Sequence, residues 1–222
     1  MIEIIPAVIP NSLDHLKESL SGVRGLAKTV QLDLTDGVYV THRSWPFNAS
    51  DKAQFQDMVR GKSKLPFADE FDFEVDLMMQ QPEKVLGDWV KIGIARAIFH
   101  LESRHDFSEI KRVVNDTVEL GIAIQNKTSI DRLDTYMHDV DYVQVMGIET
   151  IGKQGEPFSE HTLTTVQTLK EKYPDVTIQI DGGVDDSSAK QLALLGVDRL
   201  VSGSFILRSD DPKSAIETLR HV

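Results

Sequence analysis

Asp33, Asp76 and Asp181 each interrupt or end a short apolar segment: VQLDLTDG at 30–37, FDFEVDLM at 71–78 and TIQIDGGV at 177–184. Taking a carboxylate out of water is costly unless a cation, a proton or several hydrogen bonds compensate. Three of them at the ends of apolar strands therefore point to acid–base chemistry or to a bound cation. For any one of them alone, a loop cap or an ion pair would be explanation enough. Gln31 adds a carboxamide two residues before Asp33, on the same face of a strand.

The glycines have a different chemistry. Asp181 runs into Gly182-Gly183, with Asp185, Asp186 or Ser187 placed to start a helix, and the next apolar segment ends in Ser202-Gly203-Ser204-Phe205. Glycine lets backbone amides approach phosphate oxygens, and a following helix N-terminus favours a dianion. A lone Gly-Gly is an ordinary turn; two such loops in succession read as a phosphate cradle of Gly182, Gly183, Gly203 and Ser204. A third glycine-rich loop, Ile148 to Phe158, contains Gly155 and is long enough to fold over a ligand. Lys153 in that loop either approaches the phosphate or is solvated.

These side chains need a scaffold that brings strand ends together. Apolar, β-branched segments recur at 2–9, 29–34, 71–78, 95–101, 120–125, 141–147, 177–181 and 198–202. Helical patterns lie between them: SLDHLKESLSGV, a helix near 51–60, PEKVLGDWVKIG, SEIKRVVNDTVEL, SEHTLTTVQTLKEKY, DSSAKQLALLG and PKSAIETLR. Alternation of this kind predicts parallel strands with crossover helices. About eight strands in one undivided chain predict an α/β fold, a single (β/α)8 TIM barrel spanning residues 1–222, with its chemistry at the C-terminal ends of the strands. The competing architecture, an open doubly wound sheet, would carry a glycine-rich turn after an early strand, and none follows the first or second.

Composition narrows the partners. The net charge of −11 disfavours nucleic acid, which rewards clustered Lys and Arg. No apolar run approaches the roughly 20 residues that span a bilayer. The chain has no cysteine, which excludes a disulfide framework, a thiolate metal site and a thiol nucleophile. The expectation is a soluble, cytoplasmic protein, and a small phosphorylated ligand remains compatible with its charge.

Taken in order, the motifs resemble the ribulose-phosphate 3-epimerase family of ribulose-phosphate-binding barrels. Ile5-Pro6 is similar to the family's opening, VQLDLTDG to its His-x-Asp-x-Met-Asp-Gly, and Val75-Asp76-Leu77-Met78 with Pro82 to its Val-His-Leu-Met…Pro. Phe99-His100-Leu101-Glu102 and Asp141 through Met146 resemble its fourth and sixth strands, and IQIDGGV and VSGSFI its last two motifs. The resemblance implies a homo-oligomer that binds a small phosphorylated sugar and epimerises C3 of a ketopentose phosphate. It makes Asp33 and Asp181 the two acid/base groups, one on each face of the substrate. It also assigns phosphate binding to Gly155, Gly182, Gly183, Gly203 and Ser204, places Met78 and Met146 over the enediolate, and has Asp36 fix the loop after the second strand.

The departures from the family concern its metal. Two histidines and the two aspartates hold a divalent ion there, whereas Gln31 and Asp76 stand at the histidine positions here. Ala7 replaces a serine and Thr35 a methionine. The remaining set of Gln31, Asp33, Asp76 and Asp181 is all oxygen, which suits Mg or Mn better than Zn or Fe. The other expectation is a metal-free site, which either converts another sugar phosphate by a different isomerase or lyase reaction or senses one without turnover. Three related chemistries fit less well. The decarboxylase and hexulose-phosphate synthase branch has a lysine in its Asp-x-Lys-x-x-Asp, absent here; phosphoribosylanthranilate isomerase-type sites use a cysteine; and a Schiff-base aldolase needs a strand-borne lysine. His100 is expected either to replace a lost ligand or to be structural. His42 and Arg43 are expected to pack the loop or to touch substrate, and His15, His105, His138, His161 and His221 to lie at the surface.

Overall fold

The structure is a computed structural model and describes residues 2–114 and 117–222. Eight parallel strands close in sequence order into a barrel: β1 (Glu3–Val8), β2 (Thr29–Thr35), β3 (Asp72–Met78), β4 (Arg96–His100), β5 (Glu119–Ile124), β6 (Tyr142–Met146), β7 (Thr177–Asp181) and β8 (Arg199–Ser202). The helices are α1 (Leu13–Ser21), α2 (Lys52–Val59), α3 (Glu83–Ile92), α4 (Phe107–Val113), α5 (His161–Lys172), α6 (Asp186–Leu194), α7 (Ser204–Leu207) and α8 (Pro212–Arg220). This is the expected (β/α)8 barrel.

Local chemistry explains the helix limits. The Ser12 hydroxyl caps α1, Asp106 caps α4, and Asp185 with Ser188 forms a reciprocal capping box on α6. Gly93, in the left-handed region, ends α3. The fourth helix is shorter than its pattern predicts, because Val114 is already extended; Asn115 and Asp116, which the pattern included, lie outside the described residues. Between β5 and β6 the crossover carries a 3-10 turn (Ile130–Leu133), and the short α7 after β8 was not legible as a helix.

Strand alternation divides the interior in two. One face of each strand, for example Val30, Leu32 and Leu34 or Phe73, Val75 and Leu77, packs under the helices and builds the main apolar core. The opposite face fills the barrel. There, small apolar clusters (Ile98, Ala123, Tyr142, Met146; and Ile5, Ala7, Val201) share the space with a buried polar column. At the N-terminal end the column is an ionic plug. Arg96 donates to Glu3 at 3.0 Å and Glu119 at 2.9 Å, and Arg199 donates to Glu119 at 2.6 Å and lies over the Tyr142 ring. The loop after β2 is anchored by Trp45, which packs edge-on against Trp89 and Phe55 and donates its backbone N–H to Pro10.

Candidate active site

Strand register brings the carboxylates together. Asp33 on β2 lies directly beside Asp76 on β3, and Gln31 beside Glu74 in the layer below. Met146 on β6 lies beside Asp181 on β7, and Gln144 beside Gln179. The inward alternation of β2, β3 and β7 then aims Asp33, Asp76 and Asp181 at the same space at the C-terminal mouth. All three are buried, and one carboxylate oxygen from each lies within 4.8 Å of the others.

Internal donors hold each member. The Gln31 amide donates to Asp33 at 2.8 Å and to Asp181 at 3.1 Å, bridging the two. Asp76 is held from behind by His100 Nε2 at 2.9 Å and by the Gln144 amide, also at 2.9 Å. Burial, then the neighbouring Asp76 charge, pushes the Asp181 carboxyl up to about 7. Burial, then the charges of Asp181 and Asp76, holds Asp33 well above the usual carboxylate range. Burial alone would lower His100, but the charge and hydrogen bond of Asp76 outweigh it and raise it. Below, burial pushes Glu74 up to about 7 against the opposing pull of Arg96, Gln179 and Tyr142.

The donor set fits a hard divalent cation. Three carboxyl groups converge at a spacing compatible with a shared ion, and among the described residues no histidine or cysteine joins the cluster. Gln31, the fourth expected ligand, stands beside the triad. Its N–H2 faces the two aspartates and its oxygen faces Gln179, so ligation by Gln31 requires the amide to turn over.

The expected phosphate residues gather beside the triad. Gly155, Gly182, Gly183, Gly203 and Ser204 line one pocket together with Asp33, Asp181, Met78 and Met146. Gly183 has φ +67°, and a Cβ there would stand 2.6 Å from the Phe158 backbone, so only glycine lets the β6–α5 loop lie this close. That loop is closed across the mouth. Gln154 donates to the Ala7 carbonyl at 3.0 Å, Gly152 rests on Val40, and about 40 Å³ of free space remains beneath. Lys153 is exposed on it.

Other expectations resolve individually. Asp36 fixes its loop, accepting from the N–H of Val38, Tyr39 and Gln80, and Arg43 packs there, donating to the Asp36 carbonyl. His105 departs from the surface expectation: it is half-buried in the loop before α4, edge-on to Phe99 and bonded to Ser103 and Tyr136. Gln154 was missed. A polar residue in a glycine-rich loop has no periodicity to mark it, and its contact with β1 exists only once the loop folds over.

Comparison with known proteins agrees with this picture. Residues 3–207 match the model of the ribulose-phosphate 3-epimerase family. Proteins named ribulose-phosphate 3-epimerase are similar over long spans. The Candida glabrata protein is 25% identical over 98% of this chain and 90% of its own; the Bacillus subtilis protein is 24% identical over 99% of each. The Treponema pallidum protein is 30% identical over 80% of this chain and 78% of its own. Among solved structures, KGPDC from Streptococcus mutans aligns with TM-score 0.71 at 11% identity, covering 99% of this chain and 96% of that one. The 3-hexulose-6-phosphate synthase from Salmonella typhimurium aligns with TM-score 0.70 at 13% identity, covering 99% and 97%. At these identities the structures show a common fold.

Proposed function

The chain belongs to the ribulose-phosphate 3-epimerase family, and on that premise we propose that it is an isomerase inverting C3 of a ketopentose phosphate or a closely related ketose phosphate. The observation that carries this reading is the bridged pair: Asp33 and Asp181 come from β2 and β7 and, among the described residues, are bridged by the Gln31 amide. A ketose lying between them would present one face to each carboxyl group. Inversion needs this two-sided arrangement, because a single base returns its proton to the face it came from.

In one direction, the ionised carboxylate removes the proton from C3, and electron density moves onto the C2 oxygen to give an enediolate. The protonated partner then delivers its proton to C3 from the opposite face. The two residues exchange protonation states over a turnover, so one of the pair must be charged at the start. Burial and the charges of neighbouring carboxylates, Asp76 above all for Asp181, raise both carboxyl groups, which favours such a mixed state. Met78 and Met146 line the same pocket and keep water from the intermediate. The backbone amides of Gly182, Gly183, Gly203 and Ser204 hold the phosphate.

Asp33, Asp76 and Asp181 would hold a divalent cation, with Mg or Mn favoured by an all-oxygen set; when bound it supplies positive charge to the enediolate oxygens. The closed β6–α5 loop leaves too little room for a sugar phosphate, so entry requires it to lift. A second reading, sugar-phosphate binding without turnover, draws support from the Gln31 N–H2 standing where the oxygen of a ligand was expected.

The deciding experiment is incubation with D-ribulose 5-phosphate in deuterated water, after chelation and again with Mg or Mn restored. Deuterium at C3 with formation of xylulose 5-phosphate is expected. Binding without exchange, for every ketose phosphate and metal tried, would leave the second reading.

A further inference from the structure

Gln179 lies one layer below the triad, fully buried, two residues before Asp181 on β7. Its amide N–H2 has two hydrogens for three acceptors: Glu74 at 2.7 Å and Gln144 at 2.8 Å, with Gln31 sharing at 3.3 Å. Its oxygen meets no donor among the described residues. Ionised Glu74, itself held by the Tyr142 hydroxyl at 3.0 Å, fixes this orientation, since turning the amide over would set its oxygen against the Glu74 carboxylate. With Gln179 N–H2 aimed at the oxygens of Gln31 and Gln144, those two side chains present nitrogen to the mouth. Gln31 then reaches Asp33 and Asp181, and Gln144 reaches Asp76.

We infer that Gln179 is a positioning residue that decides whether the triad is met by amide nitrogen or amide oxygen, and thereby how readily the triad accepts a divalent cation. This role shares with the proposed function only the location of the site. A cation seated between Asp33 and Asp181 requires the Gln31 N–H2 to withdraw, and ligation by Gln31 requires its oxygen to turn inward. Turning it sets the Gln31 N–H2 against the Gln179 N–H2, donor to donor, inside a buried site where mispaired polar groups are costly. Gln179 therefore opposes cation entry from a layer that touches neither the cation nor the substrate.

The test is Mn2+ binding to the purified full chain after chelation, followed by electron paramagnetic resonance and so read without turnover. Gln179→Met keeps the length and removes the opposing donor; it is expected to bind Mn2+ about tenfold more tightly than the wild type. In a Gln31→Met background the same change is expected to alter affinity by less than about threefold, because Gln144 reaches Asp76 alone and the effect between Asp33 and Asp181 passes through Gln31. Glu74→Gln, which releases the anchor of Gln179 with little change of volume, is expected to strengthen binding in the same direction and serves if Gln179→Met does not fold. Unchanged or weaker Mn2+ binding in the folded single variants overturns the inference. So does a gain that survives whole in the Gln31→Met background, or an absence of Mn2+ binding throughout. Exchange at C3 is a separate measurement, so failure here and failure of the epimerase reading are told apart.

Discussion

Asp33 and Asp76 stand side by side in register on β2 and β3, yet their carboxylates share no hydrogen-bond donor among the described residues. Asp33 is held by Gln31, which also reaches Asp181 across the barrel; Asp76 is held by His100 and Gln144. Two adjacent carboxylates thus have separate donors, which Gln179 links one layer below. On the proposed reading, that separation goes with different work: Asp33 pairs with Asp181 in proton transfer, and Asp76 supplies charge.

If so, neutralising either member of the bridged pair should stop the chemistry and spare binding. Asp33→Asn and Asp181→Asn are each expected to lower C3 exchange by about 10²- to 10⁴-fold, the usual range for a lost acid or base. Affinity for a phosphorylated ligand, measured by calorimetry, should stay within a few-fold of wild type. Full exchange in either variant would remove that residue from the two-base role.

Asp76→Asn should make Asp181 a stronger acid. The Asp76 charge is, after burial, the main reason the Asp181 carboxyl stands at about 7. Carbon-13 NMR titration of the chelated protein should therefore show Asp181 losing its proton at lower pH in the variant, with Asp33 moving the same way. A titration that stays in place would mean burial alone sets these values.

Glu74 should make the chelated protein more stable in mild acid than in mild base. Its folded value, about 7, lies above an ordinary glutamate near 4.5, so the folded state holds the proton more tightly. That contribution is complete below about 4.5, shrinks as pH rises to about 7, and is gone above it; its full size is about 3 kcal/mol. Urea unfolding at pH 5 and pH 8 reads it, and Glu74→Gln should flatten the difference by most of that amount.

Gln154→Ala should loosen the β6–α5 loop without unfolding the barrel. The Gln154 amide bond to the Ala7 carbonyl is one neutral hydrogen bond, worth about 1 kcal/mol. Backbone amides of residues 148–158 should exchange faster with deuterium, while those of the strands should keep their protection. Unaltered exchange in the loop would show that its closure rests on Gly152 against Val40 instead.

Trp45→Ala should cost about 3–5 kcal/mol, as truncation of a fully buried large aromatic does. Chemical denaturation measures the loss. Its neighbours Trp89 and Phe55 belong to α3 and α2, so the damage should reach the helices that flank the loop after β2.

The barrel was legible in the sequence because strand and helix periods alternate in every crossover except that from β5 to β6, and β7 and α8 match their patterns residue for residue. The triad and the glycine cradle were legible as well, since each is polar or flexible where a strand end should be apolar. Hydrogen-bond direction was not. Gln31 offers one donor group and one acceptor on the same side chain, and which of them faces Asp33 depends on Gln179, 148 residues away in the chain. The same is true of His100, whose hold on Asp76 depends on β3 and β4 meeting in register.

The shared N–H2 group of Gln179 has a consequence for how such a mouth diverges over time. A substitution at position 31, 144 or 179 taken alone leaves a buried neighbour mispaired, so its effect depends on what the other two positions already hold. Changes here are epistatic. A lineage that moves toward nitrogen ligands at the mouth, or away from them, is expected to replace these glutamines jointly, through intermediates tolerated only where the rest of the barrel has stability to spare.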